Sequence, residues 1–164
     1  MSETPAHKPD VTLRPVEPED EPLLLELYAS TRADELALTP WTEAQREAFV
    51  RMQFAAQLQH YQGHYPEAEH SIILLNGLPA GRIYLAREDG EFRILDITVL
   101  PEHRNSGAGG FVIKQVLNEA ARSSRPVTIH VESHSPGLRL FERLGFRKVR
   151  DEGFNLLLEW RPPA

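Results

Sequence analysis

The pattern of apolar and polar residues divides the chain into strand-like and helix-like segments. In the strand-like segments, apolar residues alternate with polar ones or follow one another as in a buried strand. These segments are Val11–Arg14, Ser71–Leu75, Leu78–Arg87, Glu91–Leu100, Val127–Val131, Phe146–Val149 and Phe154–Trp160. Apolar residues recur at helical spacing in four further segments, which begin near Glu17, Thr42, Phe111 and Pro136. The predicted order of elements is β-α-α-β-β-β-α-β-α-β-β.

Turn and cap residues support these boundaries. Asn76-Gly77 suits a two-residue hairpin turn with positive φ at both positions, and Asp89-Gly90 gives the next turn. Thr42 and Gln45 have the spacing of a capping box at the start of the second helix, which is predicted to run to about Tyr61. The fifth strand must lie parallel to the fourth, because a helix connects the two.

The loop between the fourth strand and the third helix carries the clearest chemical signal. Pro101 ends the strand, and three glycines follow within positions 107–110. Glycines at the start of a helix let the backbone approach a ligand and present free N–H groups, an arrangement that favours phosphate. A Walker loop would have Lys where Phe111 stands, and a dinucleotide fingerprint would have its third glycine where Val112 stands. Neither motif fits.

Two segments resemble motifs of the GNAT superfamily of N-acetyltransferases. Arg104-x-x-Gly107-x-Gly109 resembles its pyrophosphate-binding motif, (Q/R)-x-x-G-x-(G/A). The segment that ends in Leu140-Phe141-Glu142-Arg143-Leu144-Gly145-Phe146 resembles its N-x-x-A-x-x-L-Y-E-x-x-G-F segment. The resemblance implies an α/β (α+β) fold with a mixed central sheet of about six or seven strands and about four helices. In that fold the parallel strand pair splays apart and binds acetyl-coenzyme A as co-substrate.

The same resemblance implies which residues contact the coenzyme. Backbone groups of Ile97, Thr98 and Val99 would pair with the pantetheine arm, and one N–H would reach the thioester oxygen. Such an N–H can lower the barrier by roughly 3–4 kcal/mol. His134 and Phe141 complete the predicted site beside the thioester. The pyrophosphate would be held by Arg104, Asn105, Ser106, Gly107, Ala108, Gly109 and Gly110.

The chain departs from the family pattern where the leaving thiolate would be protonated. Phe141 stands where the family has Tyr, and a phenyl ring cannot donate a proton. His134 replaces the frequent Asn. The candidates for an alternative acid are Tyr84, Ser133 and His134. The reaction can also proceed without a catalytic acid. A thiol has a pKa of roughly 8.5, so the thiolate is tolerable near neutral pH and water can protonate it.

The attacking amine must lose a proton, since an alkylammonium has a pKa near 10.4. Asp96 is the predicted catalytic base because it lies mid-strand in an apolar run, where an ionised group needs a task or a partner. We expect its side chain on the same side of the strand as Ile94 and Thr98. A hydrogen-bonded structural aspartate is the alternative, and Glu91 and Glu132 are further candidate bases.

The first two helices would form the part of the site that varies with substrate. The predicted substrate-binding residues are Tyr28, Arg32 and Trp41, with Phe49 and Gln53 as further candidates. For each of them, a packing or surface role is the alternative. The oligomeric state is left open, with a homodimer among the options.

Composition restricts the remaining classes of function. The net charge of -6 argues against nucleic acid as the main partner and is compatible with a cationic amine. The absence of cysteine excludes disulfides, thiolate metal sites and a cysteine nucleophile. His60 and His64 have helical spacing but no accompanying carboxylate, so no metal site is predicted. No apolar run approaches the roughly 18 residues of a membrane span.

These observations predict a cytoplasmic protein without a signal peptide, in which residues 1–10 form a mobile tail and residues 11–164 a single acetyltransferase domain. The predicted function is transfer of an acetyl group from acetyl-coenzyme A to a primary amine of a small molecule or peptide by direct attack. Two alternatives stay open: a transferase that uses another acyl group, and a catalytically silent acyl-coenzyme A-binding module, which Phe141 makes plausible.

Overall fold

The computed structural model describes residues 9–164 and confirms the predicted order of elements. Its strands are β1 (Val11–Pro15), β2 (Glu69–Leu75), β3 (Leu78–Arg87), β4 (Phe92–Val99), β5 (Val127–Glu132), β6 (Arg147–Asp151) and β7 (Asn155–Trp160). Its α-helices are α1 (Glu21–Ala37), α2 (Glu43–His64), α3 (Ala108–Arg122) and α4 (Leu138–Arg143). The N-terminal tail predicted for residues 1–10 lies outside the described residues, except for its last two.

The strands form one mixed sheet in the order β1-β2-β3-β4-β5-β7-β6. Every neighbouring pair is antiparallel except β4 and β5, which are parallel and are connected through α3. The predicted parallel pair is therefore confirmed. The hairpin turn between β2 and β3 is also confirmed, because Asn76 and Gly77 have φ angles of 53° and 81°.

The first two helices begin at the signals in the sequence, with one difference. Gln45 N–H donates to Thr42 Oγ1 (3.2 Å) and Thr42 N–H donates to Gln45 Oε1 (2.9 Å), which is the predicted capping box of α2. The helix predicted near Glu17 opens with a 3₁₀ turn over Pro18–Asp20, and α1 starts at Glu21.

None of the α-helices described for residues 9–164 combines the length and apolar character that a membrane span requires.

Two apolar cores cover the two faces of the sheet. Leu27 of α1 and Phe54 of α2 pack on the face that contains Ile72. Val112 of α3 and Phe141 of α4 pack on the opposite face with Ile73. Consecutive residues of β2 are thus fully buried on opposite faces, as expected for a strand covered on both sides.

A β-bulge at Leu95 changes which side of β4 its residues face. Tyr84 pairs with Asp96 and Leu85 pairs with Ile94, so Leu95 is an extra residue on β4. Ile94 therefore belongs to the core under α3, whereas Asp96 faces Arg82 on the α2 side. The expectation that Asp96 shares a side with Ile94 is wrong, because a bulge shifts the alternation by one residue.

Beyond the bulge, β4 and β5 separate. Their pairing extends only from Phe92/Val127 to Ile94/Ile129 within the described part of the chain. Farther on, β4 stays paired with β3 as far as Val99, and β5 stays paired with β7 as far as Glu132. The predicted splayed strand pair is confirmed, and the facing edges of its two strands are open beyond the third residue pair.

Gly81 allows β3 to lie against the far end of β4. A Cβ atom at this position would lie 2.3 Å from the Thr98 carbonyl oxygen and 3.1 Å from Val99 Cα. Both atoms belong to the backbone, so neither can rotate away from an added methyl group. The glycine thus fixes how closely β3 supports the open segment of β4.

We expect Gly81→Ala to lower the free energy of unfolding by about 1–3 kcal/mol, the usual effect of overpacking. Gly63→Ala is the matched control because Gly63 lies in α2, where an added methyl group would meet no atom within 4 Å. Removing a helical glycine should stabilise the protein by about 0.5–1 kcal/mol. Urea unfolding of both variants measures the difference. Equal stability of Gly81→Ala and the wild type would contradict the close approach of the two strands.

Candidate active site

The glycine-rich loop turns sharply before α3 and leaves backbone donors exposed at its end. Asn105 and Gly107 have φ angles of 65° and 87°, in the left-handed region that favours glycine. A Cβ at Gly107 would meet no atom within 4 Å. Glycine is therefore favoured here by the positive φ angle and not by a lack of space. The N–H groups of Gly109 and Gly110 have no acceptor among the described residues. This geometry fits an anion held by backbone amides.

The loop lies between the two segments that the sequence singled out. A Cβ at Gly109 would contact Val99 of β4 at 3.8 Å and Leu140 of α4 at 3.9 Å, and one at Gly110 would contact Leu140 at 3.6 Å. The start of α3 thus packs against both the end of β4 and α4. Arg104 is exposed, and its guanidinium forms no ion pair within residues 9–164.

The open end of β4 contains the three predicted backbone contacts. Ile97 and Val99 turn their side chains into the core under α3, and Thr98 faces the α2 side with Asp96. One edge of this segment is paired with β3 along its whole length. On the other edge, no strand pairs with these residues in the described structure, so this edge of β4 can accept an extended ligand.

A buried cation lies on the α2 side of this strand. Arg82 is 2% exposed, and its Nε donates to Asp96 Oδ2 at 2.8 Å. Its Nη2 donates to Gln57 Oε1 at 2.6 Å, and its Nη1 lies 3.4 Å from His70 Nε2. The guanidinium also lies over the ring of Phe54, 5.4 Å from the centroid. The sequence signal for this cluster is a charged residue within the apolar run of β3.

Asp96, the predicted base, is ion-paired and only partly covered. Its Oδ2 accepts from Thr98 Oγ1 at 2.9 Å as well as from Arg82. Its Oδ1 accepts no hydrogen bond from the described residues, and 22% of the side chain is exposed. One carboxyl oxygen of Asp96 is thus held by the protein, as in the structural alternative, and the other is open, so its catalytic role stays a prediction.

Two tyrosines and a histidine surround the ion pair. Tyr84 stacks on His70 with ring centroids 4.3 Å apart, and Tyr61 contacts Tyr84 edge-on at 5.1 Å. Tyr61 Oη donates to the Leu95 carbonyl at 2.9 Å, so α2 holds the bulge directly. Burial raises the pKa of Tyr61 to about 12 and also raises the pKa of Tyr84. Both phenols remain protonated at neutral pH. Tyr61 had no distinguishing signal in the sequence.

The remaining predicted acids lie beyond β5. His134 is exposed in the turn before α4, which starts at Leu138, two residues after the predicted start. Ser133 Oγ donates to the Gly153 carbonyl at 2.7 Å, and Ser133 N–H donates to the Phe154 carbonyl at 2.9 Å. The Ser133 hydroxyl is therefore committed to the β6–β7 turn.

Phe141 is part of the apolar core. Its side chain is 5% exposed, and its ring meets that of Phe146 edge-on with centroids 5.2 Å apart. A Cβ at Gly137 would lie 3.8 Å from Phe141 Cε2. The aromatic ring therefore packs under α4, and its place beside a thioester stays a prediction.

The predicted substrate residues fall into two groups. Arg32 Nη1 contacts Glu132 Oε1 at 2.8 Å, which links α1 to the end of β5 where β4 and β5 are apart. Arg32 also lies over the ring of Tyr28, 5.7 Å from its centroid. Trp41 instead packs on Phe49 with ring centroids 5.1 Å apart, near the start of α2. The structure brings Arg32 into contact with a residue of the splayed strands and Tyr28 into contact with Arg32, whereas Trp41 packs on Phe49.

The other candidates named from the sequence lie elsewhere. Glu91 precedes β4 at the end opposite the splay, where it accepts from Thr128 Oγ1 at 2.9 Å. His60 and His64 have ring centroids 4.2 Å apart, and His64 Nδ1 lies 2.9 Å from the His60 carbonyl oxygen. Within residues 9–164, no group of three His, Asp or Glu side chains is placed to hold a metal ion.

Comparisons with known proteins identify this architecture. The model of the FR47-like protein family matches residues 81–154, which include most of β3 and the whole of β4, the glycine-rich loop and α4. The match covers less than half of the chain and agrees with the resemblance to the GNAT superfamily. The chain matches no curated protein sequence. It does match solved structures along nearly its whole length, and their similarity confirms the predicted GNAT-type fold.

Three of these solved structures illustrate the similarity. The PaiA N-acetyltransferase from Thermoplasma acidophilum, in complex with coenzyme A, has 15% identity and a TM-score of 0.68 over 93% of this chain and 99% of that one. The ribosomal-protein-S18-alanine N-acetyltransferase from Escherichia coli has 18% identity and a TM-score of 0.62 over 94% and 96%. An acetyltransferase from Thermus thermophilus has 22% identity and a TM-score of 0.65 over 96% and 100%.

The cluster around Arg82 predicts a pH dependence of stability. Burial, with a contribution from Arg82, lowers the pKa of His70 from 6.5 to about 4. Between these two values the unfolded chain binds more protons than the folded one, so the free energy of unfolding falls as the pH falls from 6.5 to 4. Asp20 acts in another window, because its hydrogen bonds with Arg14 hold its pKa at about 2. The contribution of Asp20 to the free energy of unfolding is lost only as the pH falls below 3.8, the ordinary pKa of an aspartate.

We expect His70→Gln to reduce the pH dependence of stability between about pH 6.5 and 4.5, measured by urea unfolding. His60→Gln is the control, because His60 is an exposed histidine on α2. The His60 variant should follow the wild-type curve. If His70→Gln also follows it, the buried neutral state of His70 is contradicted.

Proposed function

We propose that this protein is a member of the GNAT superfamily that transfers an acetyl group from acetyl-coenzyme A to a primary amine of a small molecule or peptide. The proposal rests on the cleft that opens where β4 and β5 separate, beyond Ile94 and Ile129. The free backbone N–H groups at the start of α3 lie at the end of this cleft, next to Val99. An extended chain with a phosphate group at one end fits such a cleft. The complex of PaiA N-acetyltransferase with coenzyme A supports this choice of ligand.

The residues of the cleft and loop fit acetyl-coenzyme A. The open edge at Ile97, Thr98 and Val99 offers backbone groups to the amide-containing arm. The amides of Gly109 and Gly110 offer donors to the pyrophosphate, and the exposed guanidinium of Arg104 adds positive charge. When bound, the coenzyme supplies an activated acetyl group.

Asp96 is our candidate for the group that receives the amine. Its Oδ2 is held by Arg82 and Thr98, so the open Oδ1 is available to accept from an ammonium or from a bridging water. An acceptor amine is mostly protonated at neutral pH, with a pKa near 10.4. A fixed carboxylate both attracts the cation and takes its proton, directly or through water, before the amine attacks.

Tyr84 and His134 are our candidates for returning a proton to the thiolate. The raised pKa of Tyr84 keeps its hydroxyl protonated, and His134 is exposed at the end of β5. Tyr28 and Arg32 are proposed to line the acceptor side, where Arg32 is joined to Glu132. A role for Trp41 in substrate binding, the cytoplasmic location and a homodimer remain predictions.

The catalytically silent module is the second candidate, and one observation favours it. Phe141 is buried against Phe146 and supplies no hydroxyl. A protein of this kind would bind the coenzyme without turnover. Transfer of another acyl group is a variant of the first proposal and would use the same residues.

A panel of primary amines, assayed by release of free coenzyme A, tests the proposal. We expect the wild type to release thiol with at least one amine. Asp96→Asn should lower kcat/KM by about 10²–10⁴-fold, the usual contribution of a general base. Its affinity for coenzyme A, measured by calorimetry, should stay within about twofold of the wild type, because Asp96 is on the acceptor side.

Asp34→Asn is the matched control, because Asp34 is exposed on α1 and the substitution changes the charge equally. It should leave both quantities unchanged. Coenzyme A binding without thiol release across the whole panel would refute the transferase and support the silent module.

A further inference from the structure

Arg82 is a fully buried charge for which the proposed acetyl transfer has no direct use. Its side chain is among the largest that the described structure buries completely. A buried cation is costly unless it is paired and its donors are satisfied. Arg82 meets that condition through partners on three different elements: Asp96 on β4, Gln57 on α2 and His70 on β2.

We propose that Arg82 is a positioning residue of the acceptor site, which holds the carboxylate of Asp96 in one orientation and joins α2 to the open segment of β4. The inference rests on the proposed function and deepens it, because it assigns the site to acceptors that arrive as cations. Arg82 acts only through Asp96, since its own donors are engaged by the protein.

The contacts of the guanidinium fix its plane and, with it, the carboxylate. Nε, Nη1 and Nη2 each face a different partner, and Phe54 lies beneath the group. Rotation of Arg82 would break contacts with at least two elements. Arg82 and Thr98 both donate to the same oxygen of Asp96, at 2.8 and 2.9 Å, so Oδ1 is left open by construction.

A second link from α2 reaches the neighbouring residue of β4. Tyr61 donates to the carbonyl of Leu95, the bulge residue, while Gln57 holds Arg82 one turn earlier on the same helix. The helix therefore supports β4 at two consecutive positions, Leu95 and Asp96. Displacement of α2 would move the carboxylate and the bulge together.

The charges around Asp96 favour a cationic acceptor. Arg82 is the cation in contact with Asp96, and it contacts only the Oδ2 side of the carboxyl group. His70 on β2 adds no positive charge at neutral pH because burial lowers its pKa, and Tyr61 and Tyr84 remain neutral phenols. Gln57 and Thr98 are uncharged. An ammonium at Oδ1 would therefore meet an open carboxyl oxygen of Asp96 and no second cation among these groups.

The test compares Arg82→Met and Arg82→Lys with Arg87→Met. Arg87 lies on the same strand but is exposed and paired with Glu69 and Glu119, away from Asp96. We expect Arg82→Met to lower kcat/KM for the best amine of the panel by about 10- to 100-fold, as for a misplaced reacting group. Arg82→Lys should recover part of this loss. Arg87→Met should retain the wild-type value.

A further measurement separates positioning from general damage to the fold. Coenzyme A affinity of Arg82→Met should stay within about twofold of the wild type, since the loop and the edge of β4 retain their own supports. Arg87→Met should change neither the coenzyme A affinity nor kcat/KM.

If Arg82→Met does not fold, Gln57→Met replaces it. This variant keeps both charges and removes only the bond that fixes Nη2, so it should lower kcat/KM in the same direction by a smaller factor. A folded Arg82→Met or Gln57→Met with wild-type kcat/KM would overturn the inference while the transferase stands. A wild type that binds coenzyme A without releasing thiol would refute the proposed function and, with it, this inference.

Discussion

The extra residue at Leu95 is the constraint on which the candidate site depends. It reverses the facing of β4, so Asp96 and Thr98 lie on the side of α2, while Ile97 and Val99 remain in the core under α3. The pairing of β4 with β5 stops at the residue before this bulge. One inserted residue thus coincides with both the acidic side chain and the open strand edge, and Tyr61 holds its carbonyl in place.

The two halves of the candidate site use different physical means. On the coenzyme side, the groups are backbone amides and strand edges, which Gly107 and the loop geometry leave exposed. On the acceptor side, they are charged and aromatic side chains whose positions depend on Arg82. The first half depends on the path of the backbone. The second half requires particular side chains on α2, β2, β3 and β4.

The sequence predicted the turns, caps and strand order well because their signals are local. Glycine spacing, the Asn76-Gly77 turn and the Thr42 capping box each act within a few residues, and all lie where they were expected. The bulge has no such local signal. The bulge depends on the register of β4 against β3. For this reason the prediction that Asp96 and Ile94 lie on the same side of β4 was wrong.

The polar cluster could not be assembled from sequence for a related reason. Arg82 and Asp96 are 14 positions apart, and Gln57 is 25 positions from Arg82. Only the pairing of β3 with β4 and the packing of α2 bring the three together. A charged residue in an apolar strand, as Arg82 is, indicates that a partner exists without identifying it. Tyr61 shows the limit most clearly, because a tyrosine near the end of a helix has many possible neighbours.

We propose that coenzyme A binds along the open edge of β4 and the glycine-rich loop. Amide hydrogen exchange with and without coenzyme A tests this most directly, because the contacts are made by backbone groups. The account predicts slower exchange in the presence of coenzyme A at positions 97–99 and 104–110, with no change in β1 and β2. Gly109→Leu should abolish the protection, and Gly63→Leu, with its open surroundings in α2, should retain it. No protection at saturating coenzyme A, or protection confined to residues outside these two segments, would contradict coenzyme binding at this site.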